Sequence, residues 1–551
     1  MPNYGIARGS IFAVWSDATP STATQYPPLQ KSLGGVTIEI NVGGVTTEAI
    51  PYFVSSDDII AILPSATPAG TGTITMTSGG RTGSARIRVV ESAFALMALQ
   101  EPFGIAVAEN NSEGDEPLSA TNAANPGETV TLFGSGLGPS PGDETQYQTP
   151  ADLTDIPVEV DIGGVSATVT FHGRTVYPGL DQIQVIVPAG VSGCNVSVVV
   201  TASGAPSNFA TIPVGLSGRV CSDDPALAPV TPEEIQSLAS RASVNIGSIA
   251  LTNATLILST PGPPLLPHQP PPPHRVRPPV QDNTRTITPV DSAYAAFQTY
   301  TAQQFASPGF LQQASMGGCL VADNNIPLFG WNDFAPLYAG PQINVDGPDG
   351  ALALTSLGSG TYVEESSLPP VSRLGGGGVM EKGPGGPVAD SSATWPPIIP
   401  PAGGTFTFEN GSGGSGVGPF TATLTEDFRP SLRWRNRDQI LTVQRDRGQL
   451  ITWTGGAPGS YVEISGYSSG PVGSEDYYYV YFTCSAPVSA GQFMVPAAVL
   501  KSLPQSIDGG PNLTRGHLYV TNKAVQRFSA PGLDLGLMTI SMGSGISVPF
   551  E

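Results

Sequence analysis

Positive charge is scarce in this chain. Its 23 lysines and arginines face 44 aspartates and glutamates, for a net charge of −21. A surface of that sign repels phosphate backbones and anionic membranes, so nucleic acid is excluded as an expected partner. Also missing is any uninterrupted apolar run near the ~18 to 20 residues that a membrane helix requires, so no span is expected. The first residues, MPNYGIA, have neither a basic n-region nor an apolar h-region. A leader is therefore expected to have been removed, or the chain to begin late. No Gly-Lys-Ser or Gly-Lys-Thr phosphate loop occurs, which disfavours nucleotide chemistry. Cysteine is sparse, with Cys194, Cys221, Cys319 and Cys484 alone, and no Cys-x-x-Cys spacing suggests zinc or redox chemistry. No cofactor or metal is expected. Four cysteines allow three complete pairings, and disulfides in an exported protein are preferred over four free thiols in a cytosolic one.

What the chain has in quantity is turn formers. Its 551 residues include 67 glycines and 55 prolines against 12% charged residues. That balance suits short strands joined by tight turns, while 40% hydrophobic content still supports sizeable cores. The length predicts about three to five domains. An internal repeat organises the first part. VTIEINVGGV at 36–45 returns as IPVEVDIGGV at 156–165, an alternating strand broken by a Gly-Gly turn. DIIAILP at 58–64 corresponds to DQIQVIVP at 181–188 with one residue of slippage. SIFAVW at 10–15 parallels TVTLF at 129–133, and the strands at 72–78 and 87–90 parallel those at 194–202 and 210–214. About seven short strands per copy fits a sandwich.

GETVTLFGSGLG at 127–138, VDIGGV at 160–165 and GLDQI at 179–183 resemble IPT/TIG-type immunoglobulin-like domains. More narrowly, they resemble the form found in tandem in large secreted proteins of acidobacteria. The second copy matches closely, through Gly193-Cys194 and the trailing VCSD at 220–223. The resemblance supports pairing Cys194 with Cys221, a loop worth roughly 3 to 4 kcal/mol in the chain-entropy model, which leaves Cys319 with Cys484. The first copy departs from the pattern at WSDATP, 15–20, where a Gly-rich turn is usual, so its first loop is expected to take another shape or make another contact. Further on, WTGGAP at 453–458, FTCSAPVSAGQFMVP at 482–496 and GLDLG at 532–536 are similar to an uncharacterised C-terminal region of the same secreted proteins. That region brings no activity with it.

The fold class expected is all-β: tandem immunoglobulin-like β-sandwiches at 1–95 and 96–218, and a larger β-rich C-terminal region at 290–551, as one body or two subdomains. Between them come a helical connector at 219–260 and a Pro-rich strap at 261–289. In the connector, Thr231 and Glu234 form a capping box with Pro232 in the first turn, and Ile235, Leu238, Ala239 and Ala242 share a face read as packing. The strap, with prolines from Pro261 to Pro279, should populate polyproline II and is read as an inter-domain spacer ahead of a docking ligand. Residues 365–402, including Gly375 to Gly378, read as a long loop or insertion.

Signals for catalysis are poor. Gly466 to Gly470 satisfies G-x-S-x-G around Ser468, yet a nucleophile elbow needs a helix after the turn, and Pro471 and Gly473 follow instead. Gly411 to Gly416 matches G-x-G-x-x-G before a strand, the wrong context for a phosphate cradle. Of the histidines, His268 and His274 lie in the strap, His172 is read as a surface side chain on a strand, and His517 completes the set. Acidic clusters at Asp57-Asp58, Glu113 to Glu116, Asp346 to Asp349 and Glu475-Asp476 offer hard oxygens for calcium, but such loops are ordinarily only solvated. Aromatics gather in the C-terminal half: Trp331, Tyr338, Trp395, Trp434, Trp453 and the Tyr477 to Tyr481 run. Tyr477, Tyr479 and Tyr481 share one strand face, opposite Tyr478, Val480 and Phe482. With Trp395 they are the candidate ligand or partner contacts, core or interface packing being the plainer reading.

Taken together, these features predict a secreted or cell-surface structural or adhesive protein, not an enzyme, whose partners are other copies of itself or extracellular polymers, with filament or surface-layer assembly as one form. A carbohydrate-binding accessory protein is the alternative, and a hydrolase using Ser468 a distant third.

Overall fold

The computed structural model describes residues 5–15, 22–56, 58–99, 104–216, 218–259, 285–306, 313–323, 335–358, 360–364, 399–400, 402–472, 476–506 and 516–551. It is all-β, with tandem immunoglobulin-like sandwiches followed by a larger β-rich region. In the first sandwich, alternation sets the layers. Strand Val36–Val42 buries every second residue, and its Val36, Ile38, Ile40 and Val42 meet Phe12, Val54, Ile59 and Leu63 of the facing sheet in one core. Val36–Val42 pairs with Gly70–Ser78, which pairs with Arg81–Val90; in the other sheet Ile11–Trp15 pairs with Asp58–Ile62.

The second sandwich repeats this wiring. Val158–Ile162 pairs with Gly193–Ala202, which pairs with Ala210–Val214, and Thr129–Ser135 pairs with Asp181–Ile186. Each copy carries its Gly-Gly turn in the left-handed region, at φ 59° and 83° for Gly43 and Gly44 and 61° and 76° for Gly163 and Gly164. One difference is local. In the second copy Val165–Arg174 runs through both sheets, pairing first with Val158–Ile162 and then with Asp181–Ile186. The first copy breaks the same path into Val45–Glu48 and Ile50–Val54.

The connector corrects one expectation. Among the described residues of 219–260 only Pro232–Ala239 is α-helical, with its capping box formed, whereas Ser243–Ser259 is a 17-residue strand in the middle of the C-terminal sheet. Its neighbours are Arg285–Thr301, antiparallel, and Leu535–Ser547, parallel. Apolar residues occur on both faces of this strand because both are covered: Val244 and Ile246 meet Ile235 and Leu238 of the helix, while Ile249 and Leu251 enter the C-terminal core.

Most of the strap lies outside the described residues. Ser259 and Arg285 are direct cross-strand partners, so the chain leaves and returns at one point. The segment between them, 260–284, lies outside the described residues and connects those two paired ends. Residues 285–289, assigned to the strap, already belong to strand Arg285–Thr301. The run Gly375 to Gly378 and most of 365–402 lie outside the described residues.

From Arg285–Thr301 the sheet continues through Thr361–Glu364, Gly350–Ser356, Gln342–Gly347 and Gly403–Glu409 to Thr421–Asp427. It curls until that last strand meets His517–Phe528, where the Gln526 carboxamide takes the N–H and the carbonyl of Thr425. Phe297, Tyr362, Phe406, Phe408, Phe420 and Phe528 fill the enclosed core. The same sheet also runs the other way, through Tyr461–Val472 and Asp476–Pro487 to Cys319–Asp323. There a second core forms beneath a three-stranded sheet and helix Ala497–Ser502. Val199 and Phe209 of the second sandwich belong to that core, so the C-terminal region and the second sandwich are packed together.

Candidate functional site

Positions called from the sequence are dispersed. Cys194 is bonded to Cys221 and Cys319 to Cys484. Asp223, half-buried beside the first bond, accepts from the Ser315 hydroxyl at 2.6 Å and the Cys194 N–H, and desolvation pushes its carboxyl up. Ser468 lies inside strand Tyr461–Val472, opposite Val480 and fully buried, with its hydroxyl 3.2 Å from that of Ser506. No elbow exists there. Gly411 to Gly416 form a turn between strands Gly403–Glu409 and Thr421–Asp427 with no helix following, so the phosphate-cradle geometry is absent.

His172 is buried and its Nε2 lies 2.9 Å from the Ile156 carbonyl, which corrects the surface reading; the strand carrying it passes beneath the segment 151–156. Among the described residues, no group of three or more His, Cys, Asp or Glu side chains could hold a metal ion. Of the acidic clusters, Glu113 is ion-paired with Arg219.

The C-terminal aromatics do not gather on one open face. Trp331 and Trp395 lie outside the described residues, as does the side chain of Tyr477. Tyr479 and Tyr481 are half-buried on strand Asp476–Pro487, Tyr481 packing against Ala314, Leu320 and Ala322. Val480 and Phe482, on the opposite face, are core. Trp453 is buried and donates to the Val488 carbonyl at 2.9 Å.

Large exposed rings concentrate instead where the two sandwiches meet. The sheet of Ile11–Trp15, Asp58–Ile62 and Ile50–Val54 has an apolar outer face as well as an apolar inner one: Ile11, Ile50, Ile62, Leu29 and Tyr52 form a cluster outside the main core. A neighbouring row of Ala13, Ile60 and Phe53 lies between half-buried and exposed. Around this face stand Trp15, 78% exposed, and Tyr26, 75% exposed, with Tyr147 at 57% and Tyr177 at 52% on loops of the second sandwich. Tyr147 and Tyr177 pack edge to face with centroids 5.8 Å apart. Such a patch on a folded surface marks a contact site.

The second sandwich is fastened against this face. Gly179, at φ +77°, sits so close that a Cβ would lie 2.8 Å from Ile11 and 3.3 Å from Ile62. The Ile11 N–H donates to Ser135 Oγ at 2.8 Å, and that hydroxyl donates to the Gly179 carbonyl at 2.6 Å. Leu29 N–H donates to the Thr145 carbonyl, and Ser65 N–H to Glu144 Oε1. Below the contact, Arg174 Nε meets Asp181 Oδ1 at 2.6 Å with both side chains fully buried. Arg174 Nη2 donates to the Gly138 carbonyl, and the N–H groups of Gly136 and Leu137 donate to Asp181 Oδ2 at 2.8 Å. Burial pushes the Asp181 carboxyl up, against the pull of Arg174 and those two donors.

No family model and no curated protein matches this chain. Solved structures resemble it weakly. A tetra-tandem repeat from the extending region of a large adhesion protein is 11% identical, covering 97% of this chain and 99% of its own at a TM-score of 0.13. A titin Ig tandem is 9% identical over 38% of this chain and 91% of its own, also at 0.13. The Bacteroides ovatus glucan-utilisation protein SGBP-B, in complex with a mixed-linkage heptasaccharide, is 10% identical over 89% and 92%, at 0.13. Overlays at that score carry no weight for function, and the sandwich assignment rests on the pairing of this chain's own strands.

The junction patch went unread in the sequence, although a signal for it exists. Outward positions of Asp181–Ile186 in the second copy carry Gln182 and Gln184, between the core residues Ile183 and Val185. The first copy carries Ile60 and Ile62 on the outward face, between the core residues Ile59, Ala61 and Leu63. A strand apolar on both sides in one repeat and one-sided in the other points to a covered or contact-making face.

Proposed function

We propose that this chain is an extracellular adhesive or structural protein whose work is contact through the face between its two sandwiches. One observation carries the reading: exposed rings are borne on two domains that hydrogen bonds from Ile11 to Ser135, Leu29 to Thr145, Ser65 to Glu144 and Ser140 to Ser65 hold in one arrangement. Pre-organised aromatic surface is what a contact site requires, since rings bury large area at little entropic cost. Extracellular placement is supported by the two disulfides. Among the described residues no helix is long and apolar enough to cross a membrane. Within this reading, the sandwiches belong to the IPT/TIG type that residues 127–183 resemble, and partners are extracellular polymers or further copies of the chain.

Beads coated with the full chain should be retained on films of extracellular polymers or of the protein itself, and Tyr177→Ala should lower that retention severalfold. Retention no greater than that of albumin-coated beads on every film overturns the reading.

A further inference from the structure

We infer that the face between the sandwiches is a binding site for a neutral polysaccharide; this rests on the contact reading and names its ligand. Three observations converge. First, the rings are open: Trp15, Tyr26, Tyr147 and Tyr177 are each more than half exposed, and sugar rings present C–H faces that stack on aromatic surfaces.

Second, the rings are braced. Gln148 donates its backbone N–H to the Val176 carbonyl, which ties the loop of Tyr147 to the loop of Tyr177 and holds their rings edge to face, so this stacking surface is set before a ligand arrives.

Third, the charges select neutrality. Of the neighbouring cations, Arg8 is held by Glu91, Lys31 by Glu48 and Arg174 by Asp181. The carboxylates Asp58, opposite Trp15 in the sheet, and Asp143 on the loop of Tyr147 have no cation within ion-pair distance among the described residues. The Thr145 hydroxyl and N–H hold Asp143 below the usual carboxylate range. An anionic polymer meets negative charge with nothing to receive it, and a second copy docking the same face would set those carboxylates against their images. A neutral polyol meets neither cost, and the carboxylates can accept hydrogen bonds from its hydroxyls.

The test is electrophoresis of the full chain through native gels cast with soluble β-glucan, galactomannan, dextran or, as the anionic comparison, alginate. Retardation is expected in at least one neutral gel and not in alginate. Tyr177→Ala and Trp15→Ala should each weaken it roughly fivefold to tenfold, about one stacking contact, and Leu441→Ala, exposed elsewhere, should not. Thermal unfolding of each variant checks that the fold is kept. No retardation in any neutral gel, or retardation that both ring variants retain, overturns the inference. So does light scattering that shows a dimer abolished by Tyr177→Ala, because the occupant is then a second copy. If coated beads adhere in a Tyr177-dependent way while every neutral gel is silent, the sugar assignment fails and the contact reading survives. If beads and gels are both silent, both fail.

Discussion

At the scale of single residues, burial of titratable groups controls how the protein answers acid. His517 is buried with its ring 4.7 Å from that of Tyr467, and burial lowers its pKa from 6.5 to about 4. The unfolded chain takes up that proton first, so the stability contributed by a neutral His517 is fully present above pH 6.5 and is lost as pH falls toward 4. Melting temperature should therefore drop across that window, by the equivalent of up to about 3 kcal/mol, and His517→Phe should flatten the slope in a buffer series. Glu128 adds a second loss at lower pH. Hydrogen bonds from Arg219 bring it from 4.5 to about 2, so its contribution is present above 4.5 and disappears toward 2. The buried pair at the junction is the larger hazard. Arg174→Leu leaves the Asp181 carboxylate uncompensated and should cost roughly 3 to 5 kcal/mol in urea unfolding, with Arg174→Leu combined with Asp181→Leu costing less than the single change.

At the scale of elements, the informative object is a seam. Strand Thr421–Asp427 ends its sheet, and an end strand carries unpaired backbone groups that invite another chain. Here the Gln526 carboxamide satisfies Thr425 on both its N–H and its carbonyl, acting as a one-residue substitute for a neighbouring strand. Gln526→Ala should lower stability by roughly 1 to 3 kcal/mol and introduce concentration-dependent association, read by light scattering. A variant that remains monodisperse at every concentration would show that the seam is closed by side-chain packing alone. This seam was not legible in the sequence, because nothing in TLTED or KAVQRF marks residues 101 positions apart as neighbours. The sandwich strands were legible: Val36–Val42 and Asp181–Ile186 alternate cleanly, and a strand with one buried face must.

At the scale of the whole molecule, the second sandwich and the C-terminal region are fastened together. Val199 and Phe209 enter the core beneath strand Asp476–Pro487, and Ser315 joins Asn195 to Asp223. The Cys319–Cys484 bond fixes the edge of that sheet and closes a loop of 165 residues. Loops this long gain most in the chain-entropy model, so Cys319→Ala with Cys484→Ala should cost about 2 to 5 kcal/mol in denaturant unfolding. Loss of that bond should also loosen the contact with Phe209, seen as faster hydrogen exchange in strand Gly193–Ala202.

The sequence by itself determined the all-β class, the twice-written sandwich with its Gly-Gly turns, and the capped helix at Pro232–Ala239, because these follow from periodicities and turn chemistry acting within about ten residues. Tertiary structure alone decided that Ser243–Ser259 is a central strand, that the Pro-rich segment joins two paired strands, and that Trp15, Tyr147 and Tyr177 frame one face. Those outcomes depend on which distant surfaces cover a residue, and burial by a remote element leaves no mark on the residues beside it in the chain.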